Sequence, residues 1–153
     1  MQLLRILSTF KASFNDLKTI YISFIRSLLE QSCTIWHSGL TDDNRNDLER
    51  VQKSALKIIL KNKYKNYQNA LNFLELENLE NRREFLCLKF AKKALKNKKM
   101  KSLFIPNKKS HEMETRNQYH FNVNNANTLR LQNSPINYMQ KLLNDDMKAR
   151  SNQ

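Results

Sequence analysis

The chain has 153 residues with one Gly, two Pro and a formal charge of +13. So few turn-forming residues argue against a sheet protein or a glycine-rich phosphate loop, and all-α is the expected class. The cationic excess points to a polyanionic partner, nucleic acid before an acidic membrane surface, although twenty Asn beside the many Lys also fit an AT-rich coding bias.

Met1–Ala12 is expected as a short helix with Leu3, Leu4, Leu7 and Phe10 on one face. Its basic, amphipathic character also suits a helix lying on a membrane surface, and it lacks the apolar run and cleavage site of a secretory signal. Ser13, with Asp16 three residues on, is expected to cap a long central helix running to about His37. In that helix Leu17, Ile20, Tyr21, Phe24, Ile25, Leu28, Leu29, Ile35 and Trp36 recur at steps of three and four. A stripe this wide has to be covered by other helices. Gly39 falls where a helix commonly ends in the left-handed conformation.

Thr41 is expected to cap the next helix, Asp43–Leu60, with Asp42, Asp43 and Asp47 near its positive end. Leu48, Val51, Ala55, Ile58 and Ile59 face inward there, while Arg50, Lys53, Lys57 and Lys61 form a basic stripe. The short Gly39–Thr41 connection predicts an antiparallel hairpin with the central helix. A polar loop at 62–66 leads to a short helix over Tyr67–Leu74, a break at 75–78, and a third long helix over Leu79–Lys99. Leu86, Phe90 and Ala94 make one apolar line on that helix, and Leu88, Ala91 and Leu95 another. Lys89, Lys92, Lys93, Lys96 and Lys99 form a second, purely basic stripe, and from Lys89 to Lys109 there are nine Lys and no acid.

Beyond Pro106 the helical pattern stops. Residues 107–134 are polar and Asn-rich, with scattered Tyr119, Phe121, Val123 and Leu129, and read as extended or partly disordered. Pro135 then opens a short helix to about residue 148, with Ile136, Met139, Leu142 and Leu143 on one face. The expected organisation is a helical domain at 1–104, an irregular segment at 105–134 and a terminal helix at 135–148.

No catalytic residue, metal or cofactor is expected. Asp42-Asp43 and Asp145-Asp146 read as helix charges, and a two-metal centre needs further carboxylates that neither pair has nearby. Cys33 and Cys87 read as buried thiols without zinc-ligand spacing. Trp36 reads as a core anchor and His37 as a helix C-terminal cap; His111 and His120 form no ligand spacing. No apolar run approaches the ~20 residues a membrane span needs, so the expected setting is cytoplasmic or nuclear, with no small-molecule substrate.

The order of motifs adds a resemblance. TIYISFIRSLLEQSCTIWHSGLT (Thr19–Thr41), followed by LERVQKSALKIIL (Leu48–Leu60), resembles the segment after the polymerase core in LINE-like (non-LTR) retrotransposon reverse transcriptases. ALNFLELENLENRREFLCLKFAKK (Ala70–Lys93) looks like that family's helix pair after the thumb hairpin, and NSPINYMQKLLN (Asn133–Asn144) like its C-terminal ending. The resemblance implies a thumb and tail that hold the template–primer duplex, without the palm's aromatic-x-Asp-Asp signature, and so a non-catalytic piece. RNA or an RNA–DNA hybrid is then the expected partner, with an upstream polymerase core as another. The basic stripes named above are the candidate contacts, through phosphates rather than bases. The alternative is an inactive, truncated remnant of a mobile element that self-associates through apolar helix faces.

Overall fold

The computed structural model describes residues 1–106, 121–123 and 127–151. Among these the regular structure is helical, apart from one isolated antiparallel bridge between Pro106 and Phe121. The expected all-α class is thus observed, in more and shorter pieces than the sequence pattern suggests. The chain forms two compact units, Met1–Cys33 with Leu40–Arg83, and Thr34–Gly39 with Glu84–Gln153. Two of the boundaries, after Cys33 and after Arg83, fall inside helices, and the third follows Gly39. Tyr119, His111 and His120 lie outside the described residues, as does most of the segment expected to be irregular.

The first unit begins with α1 (Gln2–Thr9) and α2 (Phe14–Ile20). Ser13 caps α2 as expected, its hydroxyl oxygen accepting from the Asp16 N–H at 3.2 Å. The central helix is not continuous. A π-helical turn occupies Tyr21–Arg26, α3 is only Ser27–Glu30, and α4 (Cys33–Trp36) starts after a break in which Ser32 is left-handed. Each π turn adds a residue to the helical repeat, so the apolar stripe slips out of register. Phe24, Leu28 and Ile35, expected in the core, are 60%, 70% and 68% exposed.

Thr41 caps α5 (Asp42–Leu60), accepting from the Asn44 N–H at 3.3 Å. Asn66 caps α6 (Tyr67–Leu74) through the Asn69 N–H at 2.8 Å, and Asn78 serves α7 (Leu79–Lys96) through the Asn81 N–H at 2.7 Å. Helix α7 ends three residues short of the expected Lys99, because the Asn97 side chain takes the N–H groups of Lys99 and Met100. The core of the first unit packs α5 against α1, α2 and α6 around Leu4, Leu17, Tyr21, Ala55, Leu56, Ile59, Ala70, Leu71 and Leu74.

Gly39 closes a 3₁₀ turn, His37–Gly39, and does not adopt positive φ. The left-handed expectation for it is corrected: among the described residues positive φ falls instead on Lys11, Ser32, Lys61 and Glu75. With a single glycine, the chain makes these turns with residues that carry a Cβ.

In the second unit, α7 from Glu84 onward and α9 (Pro135–Ser151) enclose a smaller core of Ala91, Ala94, Phe104, Met139 and Leu143. The terminal helix is therefore longer than the expected 135–148, and α8 (Leu129–Gln132) lies within the stretch expected to be irregular. Two amides on α9 hold the 105–106 and 121–122 segments. Asn144 accepts from the Phe121 N–H and donates to the Phe121 carbonyl, both at 3.0 Å. One turn earlier Gln140 donates to the Asn122 carbonyl at 3.0 Å and accepts from the Ile105 N–H at 3.2 Å. His37 is buried with its ring edge-on to Tyr138, centroids 5.6 Å apart.

Candidate nucleic-acid interface

Two basic rows were expected on helix faces, and each lies within one unit. On α5, Arg50, Lys53 and Lys57 project from the exposed face, and Lys61 follows the last turn. All four have partners inside the unit. Arg50 Nη1 pairs with Asp47 Oδ1 at 2.6 Å. Lys53 Nζ stands 5.1 Å from the Tyr67 ring centroid and Lys57 Nζ 5.6 Å from that of Tyr64. Lys61 Nζ donates to the Ser8 carbonyl at 2.6 Å, satisfying an acceptor in the last turn of α1. Lys61 is thus a helix-capping cation first.

The opposite face of α5 fixes this row through a buried polar network. Tyr21 Oη donates to Gln52 Oε1 at 2.6 Å, and Gln52 Nε2 reaches Tyr67 Oη and the Glu77 carbonyl, both at 2.9 Å. Tyr67 Oη donates to Glu49, whose carboxylate also receives the Leu79 N–H at 3.2 Å. Tyr67 therefore joins the two faces: its hydroxyl is tied into the network while its ring carries Lys53. Burial pushes the Tyr21 phenol well above its ordinary range, against a smaller downward pull from Arg26. Burial and the Glu49 carboxylate push Tyr67 the same way. Arg83 is fully buried beside this network; burial lowers its guanidinium pKa, and the carboxylates of Glu49 and Glu80 oppose that.

Sequence reasoning missed Gln52 and the burial of Arg83, yet a signal was present. Gln52 falls on the line Leu48, Gln52, Ala55, Ile59, and Arg83 on the line Leu79, Arg83, Cys87, Ala91. A polar residue set into an apolar stripe at helical spacing marks a buried hydrogen-bonding site.

In the second unit the row lies on the second half of α7 and just beyond it. Lys92 pairs with Asp146 at 2.7 Å, so it is committed to holding α9. Lys89, Lys93, Lys96 and Lys99 are exposed and form no ion pair with a described residue. The negative end of α7 offsets part of their mutual repulsion. Such a row can replace condensed counterions along a phosphate backbone without reading sequence.

Asp42 and Asp43 lie exposed in the first turn of α5. Asp145 is exposed, while Asp146 joins Lys92 and Arg150. Among the described residues no three His, Cys, Asp or Glu side chains group as a metal site, and no helix is long and apolar enough to cross a membrane. Cys33 and Cys87 are buried and not joined in a disulfide. Comparison with known proteins identifies no relative: no family model, no curated protein and no solved structure matches the chain.

Proposed function

We propose that this chain binds nucleic acid through phosphate contacts, as a non-catalytic, thumb-like C-terminal piece of a LINE-like retrotransposon reverse transcriptase, working in the cytoplasm or nucleus on RNA or an RNA–DNA template–primer. The observation that carries the binding reading is the exposed row Lys89, Lys93, Lys96 and Lys99, which no described carboxylate neutralises. The link to reverse transcriptases rests on the order of motifs from Thr19 to Asn144. Lys53 and Lys57 supply a second, ring-held pair of cations in the other unit. The expected helical hairpin with a third long helix belongs to this reading of the chain as a thumb.

The test is equilibrium binding of the purified chain to an RNA–DNA hybrid and to duplex DNA. Comparable affinity across unrelated sequences, with the hybrid favoured, supports the reading. Absence of binding to either at low salt contradicts it.

A second reading has its own observation. Phe10, Phe24 and Leu28 of the first unit are largely exposed. In this reading the chain is an inactive remnant that self-associates through apolar helix faces. Light scattering after size exclusion separates the two, because a clean monomer removes the second.

A further inference from the structure

The first unit carries an aromatic and cationic patch that the basic rows do not include. Phe14 opens α2 and Phe73 lies in the last turn of α6. Their ring centroids are 6.0 Å apart at an interplanar angle of 54°. The rings remain 40% and 53% exposed although large apolar groups sit beside them. Lys63, in the turn after α5, places Nζ 5.5 Å from the Phe14 centroid and 5.9 Å from that of Phe73. Beside them a pocket of about 280 Å³ is lined by Phe14, Leu17, Ile59, Lys61, Asn62 and Lys63 among others.

This pocket offers three kinds of contact: an aromatic face, an amide that can both donate and accept, and the Lys63 ammonium, Lys61 being held by the Ser8 carbonyl. Among the described residues no carboxylate lines it. The nearest acid along the chain, Asp16, is taken up by the Ser13 hydroxyl at 2.7 Å. Its volume lies just below the ~300 Å³ at which drug-sized ligand sites begin, enough for one flat ring system and part of its sugar. A duplex presents stacked bases that cannot enter. A single strand presents a base face and a phosphate on the same nucleotide, and aromatic stacking with lysine contact is the usual physical basis of such binding.

We propose that the pocket seats one unpaired nucleotide of a single-stranded nucleic acid, its base against Phe14, whose ring Phe73 backs, and its phosphate on Lys63. The inference rests on the nucleic-acid reading above and extends it from backbone contact to base stacking. It makes the first unit a reader of single strands and leaves duplex phosphates to the lysine row of the second.

The test is equilibrium binding of the full chain to a short single-stranded RNA and to an RNA–DNA hybrid. Phe14→Leu, alone and with Lys63→Gln, is expected to weaken single-strand binding about tenfold, while hybrid affinity stays within about twofold of the original. Phe14→Tyr keeps the aromatic face and is expected to retain both affinities. Because Phe14 is 40% exposed, its single variant remains informative if the double variant loses the fold. Single-strand affinity unchanged in Phe14→Leu, with hybrid binding intact, overturns the pocket alone. Equal losses on strand and hybrid also overturn it, and no binding to either nucleic acid overturns both this inference and the reading beneath it.

Discussion

The basic rows of the two units have the same helical spacing and opposite surroundings. On α5 each cation has an internal partner: a carboxylate for Arg50, tyrosine rings for Lys53 and Lys57, and a helix carbonyl for Lys61. On the second row, among the described residues, only Lys92 is so engaged, through Asp146. A cation bonded to a carboxylate or a carbonyl must exchange that partner to meet a phosphate, a ring-held one can keep its ring, and one without an internal partner gives up only water and counterions. Spacing alone therefore says where charge lies on a helix; the neighbours decide whether that charge is available.

The cores differ in a related way. The first unit fixes its helices by a buried network in which Glu49, Gln52, Tyr21 and Tyr67 satisfy one another. The second has a smaller apolar cluster and uses the amides of Asn144 and Gln140 to hold backbone. Removing a half-buried, doubly used acceptor is the largest test of this contrast. Glu49→Ala strands the Tyr67 hydroxyl and the Leu79 N–H and takes a carboxylate from beside buried Arg83. It is expected to cost about 3 kcal/mol, read from the urea midpoint by circular dichroism. Asn144→Ala removes two bonds to Phe121 and is expected to cost about 2 kcal/mol in the same assay. A cost near zero for Glu49→Ala would mean that the network does not hold the first unit.

Alkali offers a milder way to separate the units. The raised phenols of Tyr21 and Tyr67 keep their protons in the fold when an unfolded tyrosine has lost its own at an ordinary value of 10.0. Their contribution is complete below pH 10 and declines as pH rises above it, since the unfolded chain then binds fewer protons than the native one. Stability is expected to fall from about pH 10 upward, with these two tyrosinate signals appearing only on unfolding. The smallest expected effect is a gain. Glu75 caps α6 at φ 52° and ψ 47°, so Glu75→Gly relieves a left-handed Cβ and is expected to add about 0.5 kcal/mol to the thermal stability.

Local signals carried much of the fold. Ser13 and Thr41 cap where an oxygen before an apolar run predicts, and α6 spans the expected Tyr67–Leu74. Nonlocal geometry was not legible. The π turn at Tyr21–Arg26 leaves no mark in a three-and-four pattern, and it is what exposes Phe24 and Leu28. The candidate lysines could be named from spacing, but their commitments could not. Lys61 meets Ser8 and Lys92 meets Asp146 across more than fifty residues of chain, contacts that only the folded units create. Gln52 and Arg83 were readable in principle as polar interruptions of apolar lines, since helical spacing is local.

The most direct test of the account is the salt dependence of binding to an RNA–DNA hybrid, measured by fluorescence anisotropy for the native chain and for Lys89→Glu/Lys93→Glu/Lys96→Glu. With four available lysines on that row, log Kobs is expected to fall against log salt with a slope of roughly −4, flattening to about −1 in the variant. Lys53→Glu/Lys57→Glu is expected to change the slope by less than the second-unit variant does. A native slope near zero, or one that the triple variant leaves unchanged, would contradict the claim that this chain binds phosphates through the exposed lysines of α7.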